Sequence, residues 1–176
     1  TGTWPYSVAI GHFNPDAFED LAFANNADHT TSVLLGHGDG TFQSPRVFPV
    51  DFCPTSVAIG ELNEDTFEDL AVTSDCLFPD HVSILLGNGD GTFRPEVKYS
   101  VGNASPQSVA IGHFNADLFE DLVTANGNLD TVSILLGNGD GTFQSQLTFP
   151  VGDAPGSVAI GHFNNDTFQD LAVANS

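Results

Sequence analysis

The sequence of 176 residues is long enough for one domain of ordinary size or for a short array of small units. Its 40% hydrophobic residues can form a core, which excludes general disorder. The 23 acidic residues against three basic ones give a formal net charge of −20, which favours cations as partners and disfavours nucleic acid and anionic membrane surfaces. No apolar run approaches the ~18 residues of a membrane span, so we expect no membrane insertion. Because the sequence contains no Met, we expect a mature product or an excerpt of a longer chain.

An internal repeat organises the chain. The string Ser-Val-Ala-Ile-Gly begins at Ser7, Ser56, Ser108 and Ser157, at intervals of 49, 52 and 49 residues. A second string, ending in Gly-Asp-Gly-Thr-Phe, follows each of the first three. The unit is therefore a pair of segments, present three times whole and a fourth time as its first half. We place the units at residues 1–53, 54–104, 105–153 and 154–176.

The pattern within one unit is that of β-strands. In the first unit Val8 and Ile10 alternate with small residues, and three further apolar runs follow at 21–23, 33–35 and 42–50. The Gly-Asp-Gly at 38–40 suits a tight hairpin turn between the last two strands. Four short strands in about 50 residues predict an all-β fold, a β-propeller of four-stranded blades. This chain would hold about three and a half blades with 14 strands and would not close on its own. A sandwich or solenoid built from the same hairpins is the alternative.

The two cysteines lie on either side of the first hairpin of the second unit, Cys53 at the end of the first unit and Cys76 within the second. Cys53 and Cys76 flank its first hairpin at the open end, where antiparallel neighbours come within the ~5.5 Å that a disulfide needs between Cα atoms. We predict a Cys53–Cys76 disulfide, typical of a secreted protein, that pins a longer loop at 77–80. Two free buried thiols are the alternative.

Every unit carries an acidic loop between its first and second strands. We name these loop 1 (12–20), loop 2 (61–69), loop 3 (113–121) and loop 4 (162–170). Oxygen-bearing side chains recur at loop positions 3, 5 and 9: Asn14, Asp16, Asp20; Asn63, Asp65, Asp69; Asn115, Asp117, Asp121; Asn164, Asp166, Asp170. A backbone carbonyl at position 7 would add a ligand: Phe18, Phe67, Phe119, Phe168. Such hard oxygen donors predict Ca²⁺. The alternatives are loops in which Asn and Asp only cap their own backbone amides, and a mixed histidine and carboxylate site for Zn²⁺ or Ni²⁺.

These loops, each ending in Asp and followed by Leu, and the string LLGNGDGTF resemble the FG-GAP and VCBS-type repeats of integrin-like β-propellers. The resemblance implies calcium bound by a loop of the form D-x-[DN]-x-D-G-x-x-D-L. Position 1, Asp in that pattern, is His12, Glu61, His113 or His162 here, so Glu61 makes loop 2 the closest to a full ligand set. Position 6, Gly in the pattern, is Ala17, Thr66, Leu118 or Thr167, which requires either a strained turn or a different loop path.

From these features we expect a secreted, non-enzymatic, calcium-stabilised propeller that binds a protein or glycan, or acts as a scaffold, at a cell surface. The alternatives are a lectin-like propeller with sugars bound between blades and the propeller part of a polysaccharide-active enzyme. The unpaired half blade predicts either further blades of a larger propeller or self-assembly. We expect Trp4 in the core, the repeated histidines in structural roles, and His29, His37 and His81 in solvent. Two weak glycosylation acceptors begin at Asn103 and Asn165.

Overall fold

The computed structural model describes residues 1–76, 79–166 and 168–176. Over these residues the chain forms 14 strands and no helix. The first sheet contains β1 (Pro5–Gly11), β2 (Asp20–Asn25), β3 (Thr30–Leu34) and β4 (Arg46–Pro49). The second contains β5 (Pro54–Gly60), β6 (Asp69–Ser74), β7 (Asp80–Leu85) and β8 (Val97–Gly102). The third contains β9 (Pro106–Gly112), β10 (Asp121–Asn126), β11 (Thr131–Leu135) and β12 (Leu147–Pro150), and the last β13 (Ser157–Gly161) and β14 (Asp170–Ala174).

Each four-stranded sheet is an antiparallel meander in chain order. In the first sheet the register pairs Val8 with Phe23, Phe23 with Ser32 and Ser32 with Val47. The predicted Gly-Asp-Gly turn closes the β3–β4 hairpin, where Gly38 and Gly40 adopt φ of +75° and +86°. Because residues with a Cβ rarely adopt such angles, glycine is required at both positions.

The sheets are arranged radially. The first strand of each sheet contacts the first strand of the next, β1 on β5, β5 on β9 and β9 on β13. Three apolar clusters fill the spaces between consecutive sheets. Phe93 of the second sheet, for example, packs edge-on against Phe13 and Phe48 of the first, with ring centroids 5.5 and 5.1 Å apart. Fourteen strands in blades of this kind confirm the predicted all-β propeller architecture.

The prediction that Trp4 lies in the core is wrong. Trp4 is 69% exposed, Tyr6 is 66% exposed and Ile10 is 62% exposed. These residues belong to the face of the first sheet that no other sheet covers over the described residues. Burial in this fold depends on a neighbouring blade, which hydrophobicity alone does not indicate.

Cys53 and Cys76 are joined in a disulfide, with their Cα atoms 5.6 Å apart. The bond ties the segment entering β5 to the segment leaving β6, at the open end of that hairpin. The longer loop predicted at 77–80 includes Leu77 and Phe78, which lie outside the described residues. In the part of the chain that the structure describes, no helix has the length and apolarity to cross a membrane.

Candidate functional site

The four acidic loops occupy equivalent places, each joining the first strand of a sheet to the second. Each loop also contacts the next one. The backbone N–H of residue 1 in one loop donates to the carboxylate or amide oxygen at position 8 of the following loop. The bonds are His12 to Glu68, Glu61 to Glu120 at 2.6 Å and His113 to Gln169 at 2.6 Å. The predicted site residues therefore lie along one continuous chain of loops.

Positions 3 and 5 use side-chain oxygens to shape the loop itself. In loop 1, Asn14 Oδ1 accepts from the N–H of Asp16, and Asp16 Oδ1 accepts from the N–H of Phe18, both at 2.8 Å. The same pair of bonds recurs in loops 2, 3 and 4 at 2.7 to 3.1 Å. Such turns commit one oxygen of each side chain and leave the second carboxylate oxygen of position 5 for another partner.

Position 9 anchors each loop to the strands. In loop 3 both oxygens of the fully buried Asp121 accept backbone N–H groups, from Phe114 at 2.8 Å and Gly137 at 2.9 Å. Asp20 and Asp69 make the equivalent pairs of bonds. Asp170 accepts from Phe163 N at 2.7 Å and from Asn164 Nδ2 at 3.2 Å. Position 9 therefore fastens the loop to the adjoining backbone.

Burial perturbs these anchoring carboxylates. Burial, together with the charge of Asp65, raises the pKa of Asp69 to about 6 against the opposing effects of its two N–H donors and of Arg94. Burial also raises the pKa of Asp121 above its ordinary value, against the bonds from Phe114 and Gly137. A nearby cation would favour the charged form of either carboxylate.

The histidines at position 1 bond to the carbonyl that was predicted as a metal ligand. Nδ1 of His12, His113 and His162 lies 3.1, 3.0 and 3.0 Å from the carbonyl oxygens of Phe18, Phe119 and Phe168. Since a carbonyl can only accept, Nδ1 carries the proton. In these three loops the imidazole lies where the resemblance implies a metal-bound Asp, so loops 1, 3 and 4 fit Ca²⁺ poorly. The Ca²⁺ ligands predicted for these three loops stay predictions.

Loop 2 differs from the others in its backbone path. Thr66 at position 6 adopts φ +70° and Glu64 adopts φ +42°. Ala17 and Leu118, at position 6 of loops 1 and 3, do not have positive φ. Both predicted outcomes of the missing glycine thus occur, strain in loop 2 and another path in loops 1 and 3. Thr167 in loop 4 lies outside the described residues, as does the end of the acceptor at Asn165.

Loop 2 also has its own cation partner. Nη2 of Arg94 lies 3.2 Å from Asp65 Oδ2, the carboxylate oxygen that does not accept the N–H of Phe67. The first and third units have Gln43 and Gln144 at the equivalent position. With Glu61 instead of histidine at position 1, loop 2 fits Ca²⁺ best of the four. Across the described residues, however, no three His, Cys, Asp or Glu side chains are grouped as a ready metal centre.

Clefts separate consecutive loops. One of about 670 Å³ lies between loops 1 and 2 and is lined by His12, Glu61, Glu68 and Glu120. Another of about 480 Å³ lies between loops 3 and 4. Burial raises the pKa of Glu120, opposed by the N–H of Glu61 and the charge of His113, and the charges of Glu61 and Glu68 raise it further. The cleft between loops 1 and 2, with its three glutamates, is anionic and suits cationic or hydroxyl-bearing ligands.

Sequence reasoning missed a second polar cluster, at the disulfide end of the second sheet. The carboxylate of Asp51 is buried and accepts from Lys98 Nζ at 2.9 Å and pairs with His81 Nδ1 at 2.7 Å. His29 accepts from the N–H of Cys53 at 3.0 Å. The expectation that His29 and His81 are merely solvated is therefore wrong. The repeat pattern did not indicate this cluster, because Lys98 and Asp51 have no counterparts in the other units.

Comparison with known proteins agrees with this architecture. Residues 113–173 match the FG-GAP-like repeat family, which confirms the predicted resemblance for that part of the chain. Among solved structures, the crystal structure of BBS1N in complex with ARL6DN, soaked with lead, is similar with a TM-score of 0.68. Sequence identity is 18% over 99% of this chain, which shows the fold alone. The chain spans about half of that protein's length, 51%. None of the curated proteins matches the sequence.

Proposed function

We propose that this chain is a non-enzymatic repeat scaffold, secreted and acting at a cell surface, with Ca²⁺ bound at loop 2. The observation that carries the calcium proposal is the left-handed conformation of Thr66. A residue with a Cβ accepts that conformation at a cost of about 1–2 kcal/mol. Loop 2 thus retains the turn that the family pattern assigns to glycine, whereas loops 1 and 3 do not.

Four oxygens of loop 2 would hold the ion. They belong to the side chains of Glu61, Asn63 and Asp65 and to the carbonyl of Phe67, and Asp69 would hold the loop in position. Bound Ca²⁺ would supply two positive charges to a chain of net charge −20 and rigidify loops that repel each other. Arg94 competes for Asp65, so calcium must displace or share that contact.

Separate observations support the roles outside calcium binding. The disulfide supports secretion, because such bonds persist in oxidising compartments. A protein partner is supported by the structural neighbour, which was crystallised in complex with ARL6DN. A non-enzymatic role is supported by the histidines at position 1, whose Nδ1 atoms bond to loop carbonyls rather than face a reactive group.

A calcium titration of the metal-free protein tests the proposal. After treatment with EDTA, calorimetry should detect one site, and added Ca²⁺ should raise the melting temperature, because the ion binds the folded state only. Glu61→Gln should weaken binding, and Arg94→Gln, which copies the first and third units, should tighten it. Glu64→Gln is the matched control, since it removes the same charge from the same loop without removing a proposed ligand. An unchanged melting temperature with calcium would reject the site.

A lectin-like function is the second candidate, favoured by the clefts between consecutive loops. The cleft volumes of about 670 and 480 Å³ suit a small ligand. Their carboxylates could accept hydrogen bonds from sugar hydroxyl groups. Glycan-array binding that Glu120→Gln weakens would support this function, and an array without signal would reject it.

A further inference from the structure

A short linking segment carries the chain from each blade to the next, at the end of the sheets where the disulfide lies. The three linking segments comprise residues 50–53, 103–105 and 151–156. In each of them one backbone N–H donates to a side chain at the start of the third strand of the preceding blade. The bonds run from Cys53 to His29 Nδ1 at 3.0 Å, from Ser105 to Asp80 Oδ2 at 2.9 Å and from Ala154 to Asp130 Oδ1 at 2.7 Å. Each linking segment is thus pinned to the blade that it leaves.

The pinned residue of each linking segment has a strained backbone. Cys53, Ser105 and Ala154 adopt φ of +54°, +50° and +43°, and each of them precedes a proline. Residues with a Cβ rarely adopt positive φ, and a following proline favours extended backbone instead. Such a conformation persists only where surrounding contacts hold it. The side-chain acceptor is one of these contacts, so its loss should let the segment relax.

The acceptor at the first junction differs chemically from the other two. Asp80 and Asp130 accept with carboxyl oxygens, which retain acceptor capacity even when the group is protonated. His29 accepts with a ring nitrogen, and a protonated imidazole has two N–H donors and no acceptor. Because a backbone N–H can only donate, the bond from Cys53 requires that Nδ1 of His29 carry no proton. Histidine is the side chain that ordinarily changes charge between about pH 5 and 8, so this bond depends on pH where the other two do not.

We propose that His29 is a pH-sensitive latch that releases the first linking segment when its imidazole is protonated. The bond to Cys53 forms with the neutral ring and is lost as the pH falls and the ring gains a proton. Cys53 can then leave its left-handed conformation, while the disulfide to Cys76 keeps it attached to the second blade. Acid therefore loosens the junction between the first and second blades and leaves the other two junctions latched.

The charged groups on the elements around His29 have other partners. The imidazole itself packs on the ring of Phe52, with centroids 4.7 Å apart. The contacts of the neighbouring charges are Asp28 Oδ2 with the N–H of Thr3 at 2.5 Å, Asp75 Oδ2 with Ser105 Oγ at 2.7 Å, and Asp51 with Lys98 at 2.9 Å and His81 at 2.7 Å. His81 Nδ1 can donate to Asp51 with its ring neutral or charged, so protonation of His81 preserves that bond. The loss of a bond in acid is therefore particular to His29.

Amide hydrogen exchange of the disulfide-bonded protein, followed by NMR, tests the latch at single residues. Between about pH 8 and pH 5, the protection factor of the Cys53 amide, corrected for the intrinsic exchange rate, should fall by about fivefold, the factor that one hydrogen bond supplies. The amides of Ser105 and Ala154, whose acceptors are carboxyl groups, should keep their protection over the same range. Unchanged protection of Cys53 overturns the proposal. A parallel loss at Ser105 and Ala154 also overturns it, because that result indicates a general loosening in acid.

Two variants of His29 assign the effect to the imidazole. His29→Asp copies the acceptor of the other junctions, and His29→Asn supplies an acceptor without charge; both residues tolerate the φ of +56° at this position. Either variant should keep the Cys53 amide protected down to about pH 5. His37→Asn is the matched control, because it removes an exposed histidine from another turn of the same blade, and it should lose protection in acid as the wild type does. Acid loss that persists in both His29 variants, or that disappears in His37→Asn, overturns the role of His29.

Discussion

Replacing Thr66 by glycine should stabilise this protein, although glycine usually destabilises. Thr66 is exposed, β-branched and held at φ +70°. Relieving that conformation should return about 1–2 kcal/mol, and glycine costs about 0.5–1 kcal/mol in the entropy of the unfolded chain. The expected net gain in the free energy of unfolding is therefore about 0.5–1 kcal/mol.

Leu118→Gly is the matched control. Leu118 has the same loop position and is 90% exposed, but it lacks the positive φ. Only the entropic cost applies there, so the free energy of unfolding should fall by about 0.5–1 kcal/mol. Urea denaturation in EDTA, which removes any contribution from bound calcium, measures both changes. With a urea slope of about 2 kcal/mol per M, the midpoints should move in opposite directions by about 0.3–0.5 M. Shifts of the same sign would refute the assignment of two different loop paths.

Three further predictions concern the anchors of the fold. Asp121→Asn retains one acceptor oxygen for two N–H donors, so urea denaturation should show a loss of about 1–3 kcal/mol. Replacing Cys53 and Cys76 by serine should cost about 3 kcal/mol, because the bond closes a loop with a sequence separation of 23; reduction of the wild type should reproduce that loss. Burial raises the pKa of Asp51, but hydrogen bonds from Lys98, the backbone of Phe52 and His81 outweigh burial and hold the pKa below its ordinary 3.8. The stability from Asp51 is thus present above pH 3.8 and lost as pH falls through its folded pKa, and acid titration of Lys98→Gln should show a smaller loss.

The repeat made most of the fold predictable. Four copies of Ser-Val-Ala-Ile-Gly, three Gly-Asp-Gly turns and alternating apolar residues are local signals, and each corresponds to an observed strand or turn. The exposure of Trp4 was not predictable in this way, because it depends on whether another blade lies beside the first sheet.

The candidate site was predictable in its composition and less so in its internal bonding. Spacing placed Asn14 and Asp16 in one loop, but it did not distinguish oxygens that point to an ion from oxygens that cap backbone amides. The bond from His12 to the carbonyl of Phe18 joins residues six apart, and it forms only because the loop folds back on itself, so the spacing alone does not indicate it. The recurrence of Glu68 and Glu120 just before the anchoring Asp was the unused signal for contacts between blades.

The bond that links successive acidic loops determines which loop positions tolerate substitution. Its donor is a peptide N–H, supplied by His12, Glu61 and His113 alike, so the side chain at loop position 1 is free to drift while the bond persists. The acceptor at position 8 is constrained instead, and substitution between glutamate and glutamine, as at Gln169, preserves it. The contact between blades and the side-chain chemistry of the loop therefore depend on different positions of the same loop, so a substitution at position 1 leaves the blades connected.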